Sequence, residues 1–182
     1  MYISLTNTIG ALKRRVTSAA SIITANLQMW LDFTKSEVIG SELVVNGDFP
    51  INPDPNWTIG TGWEIGDDKV EALDAAFGAS VVHNKTVVAN IEYKVTFTIS
   101  DYLKGNVRVG IGNSYSSTAS GNETFTFILT SVNTNALKIE TRAGGSGTTL
   151  SISNISVKEV TQFVEDKSPN TNNAKLFTGK AL

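Results

Sequence analysis

The chain has 182 residues, 41% of them hydrophobic and 18% charged, with a net charge of -2, one His and no Cys. That is length for one domain of ordinary size plus an extension, and apolar content for a real core. The absence of Cys excludes disulfides, zinc–thiolate sites and cysteine nucleophiles, and leaves the compartment open. A net charge of -2 gives no reason to expect a nucleic-acid partner, because phosphate binding needs a concentrated basic face. No apolar run approaches the length of a bilayer span.

From Thr8 to Leu31 the apolar residues Ile9, Leu12, Val16, Ala19, Ile23 and Trp30 recur at steps of three, four or seven. This is a helical stripe close to a coiled-coil seam. Gly10 and the β-branched residues Val16, Thr17, Ile22, Ile23 and Thr24 weaken intrinsic helicity, so the helix needs a packing surface. Two readings stay equal: a helix folded on its own domain, or an arm docked on another subunit through Ile9, Leu12, Val16, Ile23 and Trp30. Lys13, Arg14 and Arg15 ahead of Val16–Ile23 mimic a secretion signal, but Thr and Ser break the short apolar stretch. No signal peptide is expected.

From about Ser41 to Val160 the pattern changes to period two. Tyr93, Val95, Phe97 and Ile99 interleave with Lys94, Thr96, Thr98 and Ser100, as half-buried antiparallel strands require. Strands are expected at Glu42–Val45, Trp63–Ile65, Lys69–Leu73, Ala79–His83, Glu92–Ser100, Asn106–Gly112, Glu123–Thr130, Ala136–Thr141 and Thr149–Val160. Turn chemistry separates them, at Asn46-Gly47-Asp48, Gly66-Asp67-Asp68 and Gly144-Gly145-Ser146-Gly147 among others. In the last strand Leu150 and Ile152 share one parity and Ile155 and Val157 the other. One core can take both pairs only if the strand gains a residue, so a β-bulge is expected near Ser153-Asn154. The tail from Thr161 to Leu182 is polar, with a short strand within Ala174–Thr178, and cannot form a core alone.

The fold class expected is all-β: a two-sheet jelly-roll sandwich over residues 41–160, an N-terminal helix-containing arm over 1–40 and a short tail over 161–182. The segment Leu43-Val44-Val45-Asn46-Gly47-Asp48-Phe49, then Trp57 and Gly60-Thr61-Gly62-Trp63, then Tyr93 to Ile99 and Ile152 to Val160, resembles the carbohydrate-binding-module or galactose-binding-like jelly rolls found in bacteriophage structural proteins. The resemblance implies that Trp63 fills the core. Relatives often close on Ile-Asp-Asn, whose Asp helps hold calcium; here Ser153 stands before Asn154, so Asp48 and Asn154 make at most a weak calcium site. More faintly, Leu27–Phe33, Asp166–Asn172 and Leu176–Gly179 resemble fragments of a concanavalin- or laminin-G-like sandwich.

Chemistry-bearing residues are few. His83 has no metal or base partner at a recognisable spacing and reads as a surface or edge residue. Asp67-Asp68 reads as a solvated turn, and Glu64 with Glu71 forms a glycosidase-like pair only on paper. The glycine run lacks the Lys and the following helix of a phosphate loop. No catalytic residue, cofactor or metal is assigned, and the chain reads as a non-enzyme. Trp57, in a loop, and Tyr115, in Asn113-Ser114-Tyr115-Ser116-Ser117, are the side chains suited to stacking on sugar rings.

Taken with the resemblance, this reads as a bacteriophage virion structural protein, in capsid decoration or a tail fibre. Its partners would be other virion proteins and copies of itself in a homo-oligomer, a trimer by family analogy, with no nucleic acid and no membrane. The alternative is a carbohydrate-binding module that attaches to surface glycans.

Overall fold

Alternation in the sequence becomes alternation in burial. In the computed structural model the strand Glu92–Lys104 buries Tyr93, Val95, Phe97 and Ile99 and turns Lys94, Thr96 and Thr98 outward. Each large buried side chain contributes roughly 1.5–3 kcal/mol by leaving water. The structure describes residues 31–143, 145, 147–166 and 174–175. The helical stripe from Ile9 to Trp30, and with it the proposed arm interface, lies outside the described residues.

Among the described residues all regular structure is β. The strands are β1 (Leu31–Glu42), β2 (Trp57–Ile59), β3 (Trp63–Gly66), β4 (Lys69–Ala75), β5 (Ser80–His83), β6 (Glu92–Lys104), β7 (Val107–Ile111), β8 (Ser114–Tyr115), β9 (Thr124–Thr130), β10 (Lys138–Thr141), β11 (Thr148–Asp166) and β12 (Ala174–Lys175). The described residues divide into two units, one within residues 37–161 and the other of residues 31–36 with 162–166 and 174–175. In the second unit the described pairing is antiparallel, Phe163 opposite Lys175 and Val164 opposite Ala174.

The first unit is a two-sheet sandwich. One sheet runs β3-β4-β11-β6-β9, with β1 also paired to β11; the other is five-stranded and runs β2-β5-β10-β7-β8. Val70, Val95, Phe97 and Ile152 from the first sheet meet Val81, Val107, Val109 and Ile139 from the second in one apolar core.

The bulge in β11 is where the parity of the sequence places it. Between Ser153 and Ser156 the strand advances three residues while β6 advances two, from Thr98 to Thr96. Asn154 takes the extra place at a φ of 52°, a left-handed conformation that Asn tolerates better than most residues. Leu150, Ile152, Ile155 and Val157 are all buried as a result. Two further register shifts flank β11. One falls opposite Ala72–Ala75 of β4, the other opposite Ser100–Lys104 of β6, and Asp74 and Asp101 there also carry positive φ.

The first strand differs from expectation. It ends at Glu42 rather than beginning there, because the Glu42 carboxylate accepts the N–H groups of Leu43, Val44 and Val157 at 3.1, 3.0 and 2.7 Å. The Leu43 N–H is shared with the Val157 carbonyl at 2.9 Å, while the Val44 and Val157 N–H groups are taken by the side chain, an alternative to further ladder pairing. β11 likewise continues past Val160 to Asp166. The strands β2 and β8 were not expected; each is three residues or fewer, too short for a periodic signal.

Deletion of Asn154 should throw Ile155 and Val157 onto the outer face and destabilise the sandwich by several kcal/mol, on the scale of about 2–5 kcal/mol for each large core side chain lost. Asn154→Gly, which keeps the bulge and relaxes the backbone, should stay within about 1 kcal/mol of the parent. Urea unfolding of the two variants measures both.

Candidate functional site

The outer face of the five-stranded sheet is a grid set by register. Ile139 and Thr141 of β10 point into the core, so Lys138 and Glu140 point out. Lys138 pairs with Val82 on one side and Gly110 on the other, while Glu140 pairs with Ser80 and Arg108. Gly110 in turn pairs with Tyr115 of β8, and Val82 with Thr58 of β2. One row across the face therefore reads Thr58, Val82, Lys138, Gly110, Tyr115. The next reads Ser80, Glu140, Arg108. Arg142 lies just beyond the second row along β10.

Charge is concentrated there. Glu140 accepts from Arg108 Nε at 2.6 Å and is bridged by Arg108 at 2.5 Å, Lys138 at 2.6 Å and Arg142 at 3.5 Å. Its side chain is only 6% exposed, whereas those of the three cations are 26–31% exposed. The carboxylate forms the floor and the cations form the surface. Burial pushes the Glu140 carboxyl up, but hydrogen bonds from Lys138 and Arg108 outweigh it and hold the group below its ordinary value.

Tyr115 lies across this floor. Its ring closes over Gly110: a Cβ there would sit 2.5 Å from the Tyr115 ring. The Arg108 guanidinium stands 4.0 Å from the ring centroid and Lys138 Nζ 5.5 Å, within the range of cation–π attraction. Tyr115 keeps 37% of its surface exposed. A second exposed aromatic, Phe77, carries Arg142 at 4.2 Å from its centroid. The face thus offers two aromatic rings, each touched by a guanidinium, and short side chains at Ser80, Val82 and Gly110 between the strands.

Trp57, expected in an exposed loop, is instead in β2 and 5% exposed. Its indole N–H donates to the carbonyls of Val45 and Asn46 at 3.2 and 3.0 Å, and its ring packs on Phe49 and His83. A ring so enclosed has no face for a sugar. The Asn52–Asn56 segment that suggested a loop folds back because Asp54 accepts the Asn56 backbone and side-chain N–H at 2.8 and 2.9 Å. His83 is corrected in the same way: it is buried, edge-on to Trp57, and accepts the Val45 N–H at Nε2 at 3.3 Å. Burial lowers its pKa, with Lys85 adding to the effect, so it is neutral at pH 7.

Trp63 is in the core. The Gly47 carbonyl accepts the Ile155 N–H at 2.9 Å, which brings the first turn beside the bulge. Asp48 and Asn154 are both exposed there. Asp48 is the one carboxylate of that pair, and the described residues contain no group of three or more His, Asp or Glu able to hold a metal. Asp67 and Asp68 form the exposed β3–β4 turn, and Glu64 lies opposite Glu71, which is tied to Lys69 at 3.0 Å. Arg108, Lys138, Glu140 and Arg142 were not singled out from sequence. Their signal was the spacing Lys138-x-Glu140-x-Arg142 on one parity of a strand.

No family model and no curated protein matches the chain. Among solved structures, it is similar to a low-affinity xylan-binding module, CBM86, from the gut symbiont Roseburia intestinalis, at 13% identity and a TM-score of 0.44, over 69% of this chain and 93% of that one. It is also similar to the secreted serine protease VesC from Vibrio cholerae, at 14% identity and a TM-score of 0.40, over 58% of this chain and 24% of that one.

Glu140→Gln should cost roughly 1–3 kcal/mol at pH 7, since it leaves charged donors without their anion. A carboxyl with a lowered folded pKa contributes stability above its ordinary value of 4.5 and loses it as pH falls through the lowered one. The difference between parent and variant should therefore shrink below about pH 4.5, measured by denaturant unfolding across pH.

Proposed function

We propose that the chain is a non-catalytic glycan-binding sandwich that holds saccharide on the outer face of its five-stranded sheet. The observation that carries this reading is Tyr115, an exposed aromatic ring fixed by Gly110, Arg108 and Lys138. A ring held in one place stacks without paying much conformational entropy, because Tyr has two χ angles and its neighbours already restrain them. Lys138, Arg108 and Arg142 supply hydrogen-bond donors for hydroxyl oxygens within reach of the ring. Ser80 and Thr58 supply hydroxyls that donate and accept.

The virion reading keeps its basis in the sequence resemblance and in the apolar stripe from Ile9 to Trp30. The two are compatible, since a sandwich displayed on a virion can attach to a host glycan. The exposed ring on the charged face is what ranks glycan binding first.

Tyr115→Ala should weaken saccharide binding by about 2 kcal/mol, roughly thirtyfold, and leave the melting temperature close to that of the parent, because Tyr115 sits on a short edge strand. Gly110→Ala, which displaces the ring, should weaken binding in the same direction. Affinity electrophoresis in gels containing plant and bacterial polysaccharides, read beside thermal melts, measures both. Absence of retardation in every polysaccharide, or equal retardation of the parent and Tyr115→Ala, would sink the reading.

A further inference from the structure

The geometry points to an acidic saccharide as the ligand of this face, and we infer that its anionic groups dock on Arg142 and Lys138 beside Tyr115. The inference rests on the glycan-binding reading and adds the ligand's charge class to it. Among the described residues Glu140 is the one carboxylate within ion-pair distance of Arg108, Lys138 or Arg142. Three cations against one anion leave a surplus of two positive charges on a chain whose total is -2. The surplus is local and opposes the sign of the whole molecule.

Depth matters as much as count. Glu140 is submerged, while the cations are partly exposed above it, so a ligand approaching from solvent meets the cations first. Arg108 commits Nε and one terminal nitrogen to Glu140, which leaves its other terminal nitrogen free to donate. Lys138 Nζ has three donors, of which one bridges Glu140 and one reaches the Tyr115 hydroxyl. Arg142 is the least committed, at 3.5 Å from Glu140 and with its plane near Phe77. A planar guanidinium in that state is suited to a bidentate pair with a carboxylate or a sulfate.

Spacing fits a chain ligand. Lys138 and Arg142 are four residues apart along the strand, about 13 Å between Cα atoms at roughly 3.3 Å per residue, and both lean towards the Glu140 carboxylate, at 2.6 and 3.5 Å, so their charged ends lie closer together than their backbones. Tyr115 flanks the first and Phe77 the second. A short oligosaccharide lying along β10 would place a ring near each aromatic and an acidic group near each cation. Neutral sugars would use the rings and leave the cationic surplus without a counter-charge.

The test is calorimetric titration of the full chain with oligogalacturonate, a heparin-derived sulfated oligosaccharide, neutral xylohexaose and polyglutamate. The first two probes separate carboxylate from sulfate as the source of charge. At least one acidic oligosaccharide should bind at least about tenfold tighter than xylohexaose. That gap should shrink between about 0.1 M and about 1 M salt, as the screening length falls from about 10 Å to about 3 Å. Lys138→Gln and Arg142→Gln should each weaken acidic-saccharide binding several-fold, whereas Lys94→Gln, the same charge change on the outer face of the other sheet, should not. Xylohexaose binding as tightly as the acidic probes in a Tyr115-dependent manner would overturn the charge class and leave glycan binding standing. Polyglutamate binding as tightly as the acidic saccharides would reduce the face to a general anion site and overturn the inference. Binding of none of the saccharides would overturn the glycan reading and the inference together.

Discussion

The sandwich depends on one strand accommodating two incompatible parities. β11 pairs with β4, β6 and β1, and its inward residues come from both parities of the sequence. A strand with a strict period of two would have to expose either Leu150 and Ile152 or Ile155 and Val157. The extra residue at Ser153–Ser156 resolves the conflict, and the positive φ of Asn154 is its local cost. The neighbouring shifts at Asp74 and Asp101 repeat the device, each with a short polar residue in the left-handed region. Local strain there is repaid by burying four large apolar side chains where one register would bury two.

With that sheet complete, the five-stranded sheet can close the core with small and β-branched side chains and give its other face to polar chemistry. Ile139, Val109 and Val81 fill the inside of three adjacent strands. Their outward neighbours are Lys138, Glu140, Arg108, Ser80 and Val82. The register fixes which charges meet, placing Arg108 directly opposite Glu140. Glu140 then holds Arg108 and Lys138 in place, and these hold Tyr115. Order on this face therefore passes from backbone register to a submerged carboxylate, then to half-exposed cations, and last to the aromatic ring. Each step reduces the freedom that a ligand would otherwise have to remove on binding.

The sequence made the strands legible where alternation was long, as in β6 and β9, and made the bulge legible because four apolar residues contradicted one another. Short strands were not legible: Trp57–Ile59 and Ser114–Tyr115 carry too few residues to show a period. Trp57 misled for that reason, since a Pro- and Asn-rich approach reads as loop while the indole finds carbonyl partners that only tertiary contact supplies. His83 misled in the same way, being buried against that ring. Tyr115 was legible as an available aromatic in a polar segment. Its cationic neighbours were not, because Arg108 is some thirty residues from Glu140 in sequence and the pair exists only through the β7–β10 register.

The central claim is that the outer face of the five-stranded sheet is the ligand face. Amide chemical-shift mapping of the isotope-labelled chain, titrated with oligogalacturonate, tests it most directly. The account predicts saturable shifts concentrated at Arg108–Gly110, Ser114–Tyr115 and Lys138–Arg142. Shifts gathered instead around Asp54 and His83, or across Thr96 and Thr126 on the outer face of the other sheet, would contradict it.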